Sequence, residues 1–108
     1  MGLTNSTKFA IAANLSDLFI MITQAEGRGF GWAITHGESR HYRELLTAQP
    51  DKASFEDALK ELREILELCC RGAEGEEVPT EDASMIERIV ASLHDSARSV
   101  ETRRLIVE

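Results

Sequence analysis

Two histidines and a glutamate lie within a six-residue stretch of the chain, at His36, Glu38 and His41. Imidazole nitrogens and carboxylate oxygens are common ligands of divalent metals such as zinc. The intervening Gly37 and Ser39 are typical of a turn, which would place the two histidines opposite each other at the mouth of a hairpin. Histidines in such a position are more often simply solvated, so we keep the three residues as metal-ligand candidates only and predict no bound metal and no cofactor.

The same segment matches half of the zinc deaminase signature, because His36-Gly37-Glu38 has the form H-x-E. The other half is P-C-x-x-C, whose spacing brings two thiolates to one metal. The two cysteines of this chain, Cys69 and Cys70, are adjacent, and neighbouring side chains on a helix diverge. They can therefore neither complete this metal site nor form a disulfide with each other. Free thiols are typical of a reducing compartment, so we expect a cytoplasmic protein.

A glycine-rich segment, residues 27–31, contains three glycines. A phosphate-binding loop follows a strand and opens a helix, and the P-loop version carries a Lys-Ser or Lys-Thr pair. Here a strand follows the glycines and no such pair appears. We interpret the segment as a hairpin turn, with Gly31 as a position where a helix or a partner approaches the sheet closely. Because no catalytic constellation remains, we predict that the protein is not an enzyme.

The residues that could take part in chemistry have to be positioned by a sheet, which we predict within residues 8–47. Alternation of aromatic and branched residues with smaller ones predicts a strand over residues 30–35. Residues 18–24 are dense in Ile, Phe and Met, and we interpret the segment as a buried strand. Residues 40–46 are typical of an edge strand whose charges protect the edge. Residues 8–15 fit a helix and a strand equally well, so the sheet has three or four strands.

Two amphipathic helices follow the predicted sheet. In residues 54–71 the apolar side chains recur at spacings of three and four, which predicts a helix with one apolar face. Ser54 can accept from the free N–H groups of its first turn. A second stripe of the same kind predicts a helix at about residues 81–98. Residues 72–79 would link the two helices, and residues 1–7 are expected to be disordered.

The predicted fold class is therefore α+β, with a small antiparallel sheet followed by two helices. The alternative is an all-α fold in which residues 6–26 are helical. The 108 residues are enough for one domain, and a composition of 43% hydrophobic and 29% charged residues is ordinary for a globular protein. The chain has no apolar run of about 20 residues, so no membrane span is predicted.

The net charge of −7 argues against nucleic-acid binding, which needs clustered Lys and Arg to release the counterions of the phosphates. We expect a protein partner, and a basic partner would be attracted and would associate faster. We expect the acidic side chains on solvent-exposed faces to steer and bind this partner, and the candidates are Glu61, Glu64, Glu74, Glu76 and Glu77.

The predicted strand at residues 18–24 is apolar on both of its faces. Two helices can cover one face of a small sheet easily, but covering both faces is harder. We therefore expect Phe19 and Met21 to lie on a face that binds a partner or a second copy of the chain. Leu68 falls outside the apolar stripe of the first predicted helix and is the third apolar candidate for partner binding.

These features predict a small acidic protein-binding domain, an inhibitor, immunity or regulatory protein that acts by occluding a macromolecular partner. Small phage-encoded inhibitors, including anti-CRISPR proteins, have this size and charge, although no residue motif here carries the likeness. One alternative is a homodimeric structural or scaffold protein. The other is a small metal-binding or ligand-binding enzyme that uses His36 and His41.

Overall fold

The structure, a computed structural model, describes residues 3–37, 43–71 and 75–107, and it describes side chains within 3–37, 44–71 and 75–96. The helices are α1 (Asn5–Ala13), α2 (Phe55–Cys70) and α3 (Thr80–Val107), and the strands are β1 (Leu18–Ala25), β2 (Gly29–His36) and β3 (Arg43–Thr47). A 3₁₀ turn, Leu15–Asp17, joins α1 to β1. The α+β prediction is confirmed, and the all-α alternative is wrong.

The three strands form an antiparallel sheet in the order β1-β2-β3. β1 and β2 pair over their full length and are joined by a tight turn. The N–H of Arg28 donates to the carbonyl of Ala25 at 3.0 Å, and Gly27 has a φ of +74°. Gly27 occupies the third position of this turn, where a type II turn requires a positive φ. The glycine-rich segment is therefore a hairpin turn, as predicted.

Gly31 lies where another part of the backbone approaches the sheet closely. A Cβ atom at this position would lie 2.9 Å from the carbonyl oxygen of Ala48 and 3.1 Å from that of Gln49. The N–H of Ala48 donates to the carbonyl of Trp32 at 3.0 Å and holds this segment in place. The close approach was predicted, but the approaching group is the chain's own segment after β3 rather than a helix or a partner.

Side chains form hydrogen bonds to the backbone at both ends of helix α1. At its start, Oγ1 of Thr4 accepts from the N–H of Thr7 at 3.1 Å. At its end, Nδ2 of Asn14 donates to the carbonyl of Ala10 at 2.8 Å. Such bonds satisfy backbone groups that the helix itself leaves unpaired, and they stabilise a short helix.

The start of the chain therefore differs from the prediction. Residues 1–7 were expected to be disordered, yet in the described part Leu3 packs against the core and α1 begins at Asn5. Residues 8–15, which fitted a helix and a strand equally well, are helical as far as Ala13. The helix is favoured because it buries Ile11 completely in the core.

Helices α2 and α3 pack in antiparallel orientation. Ser54 caps α2 as predicted, since its Oγ accepts from the N–H of Asp57 at 3.1 Å. The ring centroids of Phe55 and His94 are 5.9 Å apart, in an edge-to-face arrangement. Farther along, Nη1 of Arg63 lies 2.9 Å from Oε1 of Glu87. These contacts place the first turn of α2 beside the middle of α3.

Helix α3 is longer than predicted. It was expected to end near residue 98, but it continues to Val107. The sequence has no glycine or proline between residues 80 and 107, so no residue in it breaks the helical backbone. Residues 75–79 before it have no regular structure, and residues 72–74 of the predicted linker lie outside the described residues.

The core is one cluster of buried side chains between the sheet and the three helices. Trp32, on the central strand, is its largest member and is 1% exposed. The other fully buried large side chains are Ile11, Ile34, Leu62, Leu66 and Ile86. Helices α1 and α2 pack against the sheet, and α3 packs against α2 and the 3₁₀ turn. Residues of α3 and of β1 line a common groove.

Candidate partner-binding groove

Strand β1 lies at an edge of the sheet. It pairs with β2 on one side, and within the described ranges no strand pairs with its other side. Leu18, Ile20 and Ile22 are half-buried on the helix face, whereas Phe19 and Met21 on the outer face are 48% and 44% exposed. The interpretation of this run as a buried strand is therefore wrong. It is apolar on both faces and yet stands at an open edge.

The hydrogen bonds of β2 show which way its backbone groups point. Phe30 and Lys52 exchange two N–H to carbonyl bonds, at 2.9 and 3.0 Å, and the carbonyl of Trp32 accepts from Ala48. The even-numbered residues of β2 are thus directed away from β1. Because successive residues of a strand direct their backbone groups to opposite sides, the odd-numbered residues of β2 bond to β1.

The pairing register then identifies the backbone groups at the open edge. The odd-numbered residues of β2 lie opposite Phe19, Met21, Thr23 and Ala25 of β1. These four residues use their N–H and carbonyl groups to bond to β2. It follows that Leu18, Ile20 and Ile22 direct their N–H and carbonyl groups toward the open edge, where they can bond to another strand.

A groove with a volume of about 620 Å³ runs along this edge, between β1 and α3. Its strand wall consists of the five consecutive residues 18–22, which belong to both faces of the sheet. A cavity over one face would contact alternate residues only, so this cavity lies against the edge itself. Four strand rises of about 3.3 Å give a wall of about 13 Å. Residues 88–96 of α3 give an opposite wall of about 12 Å, at 1.5 Å per residue.

The helix wall of the groove has an apolar and a polar row. Ile89 and Leu93 are one turn apart and partly buried against the core. Beside them, Arg88, Ser92 and Ser96 follow one another at intervals of four residues. Among the described residues that line the groove, Arg88 is the only charged one. Among the described side chains, no carboxylate oxygen lies within 4.0 Å of its guanidinium nitrogens.

Glu61 is one of the acidic residues expected on a solvent-exposed face, and the structure gives it a different position. Its Oε1 accepts from Nε1 of the buried Trp32 at 3.1 Å, and its Oε2 lies 2.6 Å from Nζ of Lys52. Its side chain is 24% exposed. Hydrogen bonding and attraction by Glu61 raise the pKa of the Lys52 ammonium. Glu61 thus joins α2 to the sheet.

The other predicted partner-binding residues lie apart from one another. Glu64 is exposed on α2, and Glu76 and Glu77 are exposed in the connection before α3. Leu68 is 41% exposed near the end of α2. Glu74 lies outside the described residues. Of the predicted positions that the structure describes, only Phe19 and Met21 line the groove.

The groove also contains residues that the sequence did not indicate as candidates, notably Arg88, Ser92 and Leu93. The interval of four residues between Arg88 and Ser92 is visible in the sequence and places them on one helix face. The sequence does not show that this face lies opposite β1. A further exposed apolar side chain, Phe9 on α1, is 75% exposed and was not predicted either.

The candidate metal ligands are only partly within the described residues. His36 is half-buried at the end of β2, and Glu38 and His41 lie outside the residues that the structure describes. In the described part of the chain, no group of three or more His, Cys, Asp or Glu residues is arranged to hold a metal ion.

The two cysteines are free and buried in the core. Burial raises the pKa of both thiols, and it raises that of Cys70 to about 11, with a further contribution from the negative charge of Asp82. A thiol is nucleophilic only as the thiolate, so both groups are unreactive near neutral pH. Their role is to fill the core.

None of the helices in the described ranges is both long enough and apolar enough to span a membrane. Comparison of the chain with protein-family models, with curated proteins and with solved structures finds no match.

Proposed function

We propose that the protein is a protein-binding domain that takes an extended segment of its partner as an additional strand beside β1. The observation that carries this proposal is the open edge of β1, where residues 18–22 line a groove and alternate residues direct their backbone groups outward. In this mode of recognition, main-chain hydrogen bonds supply affinity, and pockets for alternate side chains supply specificity.

The composition of β1 supports the same function. Edge strands are usually protected from pairing by charged residues, prolines, bulges or a covering element. β1 has the sequence LFIMITQA, which contains no charged residue and no proline. The opposite edge strand, β3, carries Arg43 and Glu44 and pairs through a bulge. An unprotected edge beside a groove is the arrangement expected of a binding site.

Strand addition would allow the protein to act by occlusion. A partner segment held in the groove is unavailable to its other ligands, as expected of a cytoplasmic inhibitor, immunity or regulatory protein of the phage or bacterial accessory type. Exposed Glu64, Glu76 and Glu77, together with the net charge of −7, would attract a partner that is basic overall.

A homodimer is the second candidate, because β1 is itself an apolar strand that the groove could accept. Two copies could pair β1 with β1 across a two-fold axis and form a continuous six-stranded sheet. Sedimentation equilibrium at two protein concentrations distinguishes this arrangement from a monomer.

A displayed library of random heptapeptides tests strand addition. Peptides selected on the protein should bind a Ser92→Trp variant at least tenfold more weakly, because the indole fills the groove. The matched control is Ala91→Trp, which adds the same bulk at an exposed neighbouring position that does not line the groove. Equal binding to both variants, or a library from which no peptide is enriched, would refute the proposal.

A further inference from the structure

We propose that the segment bound in the groove carries an acidic side chain, and that Arg88 binds it. This inference rests on the proposed strand addition and names the chemistry of the partner segment. The guanidinium group has five N–H donors in a planar fork, which matches the two oxygens of a carboxylate. Ser92 lies one turn along α3, about 6 Å farther along the axis, and offers a hydroxyl donor beside it.

The charge of Arg88 makes the groove selective. Among the described side chains, Arg88 is the only charged one that lines the groove, and no carboxylate compensates it at contact distance. A bound apolar segment would exclude water from the groove and leave the cation poorly solvated. A carboxylate on the segment would restore a partner to the cation, and a lysine or arginine there would be repelled.

Because side chains alternate along a strand, the need for an acidic residue also predicts which types of residue the bound segment carries at its other positions. An added strand directs every second side chain toward the helix face, where it meets Ile89, Leu93 and Arg88. The intervening side chains lie on the outer face, next to Phe19 and Met21. The expected segment therefore has one acidic and one or two apolar residues at alternate positions, with apolar or β-branched residues between them.

A second copy of the chain meets this requirement less well than an acidic peptide does. The eight residues of β1 include no acidic residue, so a pairing of β1 with β1 would supply no carboxylate to Arg88 from the strand. Charge complementarity therefore favours a separate partner with an acidic segment.

Heptapeptides selected on the wild-type protein test the inference. Replacement of their acidic residue by the corresponding amide should weaken binding to the wild type about three- to tenfold, as expected for a hydrogen-bonded ion pair. The variant Arg88→Glu should bind the acidic peptide more weakly by the same factor. It should bind more tightly a peptide in which lysine replaces the acidic residue. Arg71→Glu changes the net charge equally at an exposed site that does not line the groove, and it should bind like the wild type.

The outcomes separate this inference from the proposed function. If the selected peptides do not bind the Ser92→Trp variant but carry no acidic residue, the role of Arg88 would be refuted and strand addition would remain supported. An acid-to-amide change with equal effects on the wild type and on Arg88→Glu would lead to the same conclusion. The absence of any enriched peptide would refute both proposals. A dimer that Ser92→Trp dissociates would assign the groove to a second copy and would also refute the acidic segment.

Discussion

At the residue scale, Glu61 differs from the other acidic residues of α2, because its side chain contacts the buried Trp32. The indole N–H of Trp32 needs an acceptor because its ring is buried, and Glu61 is the acceptor that the described structure supplies. Lys52 in turn pairs with the carboxylate. The sequence showed an acidic residue outside the apolar stripe, but it did not show that a donor would lie beside it.

This contact predicts that Glu61→Ala destabilises the protein by about 1–3 kcal/mol, because it leaves the buried indole N–H of Trp32 without an acceptor. Glu64→Ala, on the same helix but exposed, should change the free energy of unfolding by less than about 0.5 kcal/mol. Urea denaturation followed by tryptophan fluorescence measures both variants. Equal effects of the two substitutions would show that the contact with Trp32 does not contribute to stability.

Cys70 predicts a pH dependence of stability. In the unfolded chain its thiol ionises near its ordinary pKa of about 9.0, whereas in the folded protein burial holds the thiol protonated until about pH 11. Between these values the unfolded state binds fewer protons, so the free energy of unfolding should fall as the pH rises from about 9 to about 11. Lys52 contributes in the same direction. Because Glu61 raises the pKa of Lys52, the free energy of unfolding falls further when Lys52 loses its proton at high pH.

Denaturation midpoints measured between pH 8.5 and pH 10.5 test this dependence. The decline should be shallower in Cys70→Ala than in the wild type, because the variant lacks the titrating thiol but keeps Lys52. If the two proteins lost stability with the same slope, the buried thiol would not be the cause.

At the scale of single elements, α2 is the part of the fold that the sequence predicted best. Its cap at Ser54 and its apolar stripe are local features, and both are present in the structure. The apolar run of β1 was assigned correctly as a strand but wrongly as a buried one. Position within a sheet depends on which strands pair, and the periodicity of one segment does not contain that information.

Helix α2 also offers two leucines that test the difference between its faces. Leu62→Ala should cost about 2–5 kcal/mol, because Leu62 is fully buried in the core. Leu68→Ala should cost less than about 1 kcal/mol, since Leu68 is 41% exposed. Thermal and urea denaturation of the two variants measure the difference. Similar losses of stability would contradict the orientation of α2 in the structure.

At the scale of the whole molecule, the order of strands and helices along the chain was sufficient to predict an α+β fold. The prediction of exposed Phe19 and Met21 also came from a count of the elements available to cover the sheet. The groove could not be predicted, because Arg88 and Ile20 are far apart in sequence and line the same groove only in the folded chain. Helix α1 was uncertain for a related reason, since its advantage over a strand lies in the burial of Ile11.

The net charge predicts how association depends on salt. Replacement of Glu64, Glu76 and Glu77 by lysine changes the net charge from −7 to −1. It should therefore slow association with a selected heptapeptide that carries a tag of three lysines, and it should flatten the salt dependence of that rate. Stopped-flow kinetics at several salt concentrations measure both effects, with the untagged peptide as the control. Unchanged rates for the tagged peptide would exclude steering by these residues.

Amide hydrogen exchange along β1, with and without a saturating selected peptide, tests strand addition most directly. The N–H groups of Leu18, Ile20 and Ile22 point toward the open edge, so their exchange should slow at least tenfold when the peptide binds. The N–H groups of Phe19 and Met21 already bond to β2, so their exchange should change little. An alternation of this kind is the predicted result. Equal protection of all five amides, or protection confined to residues outside β1, would contradict strand addition.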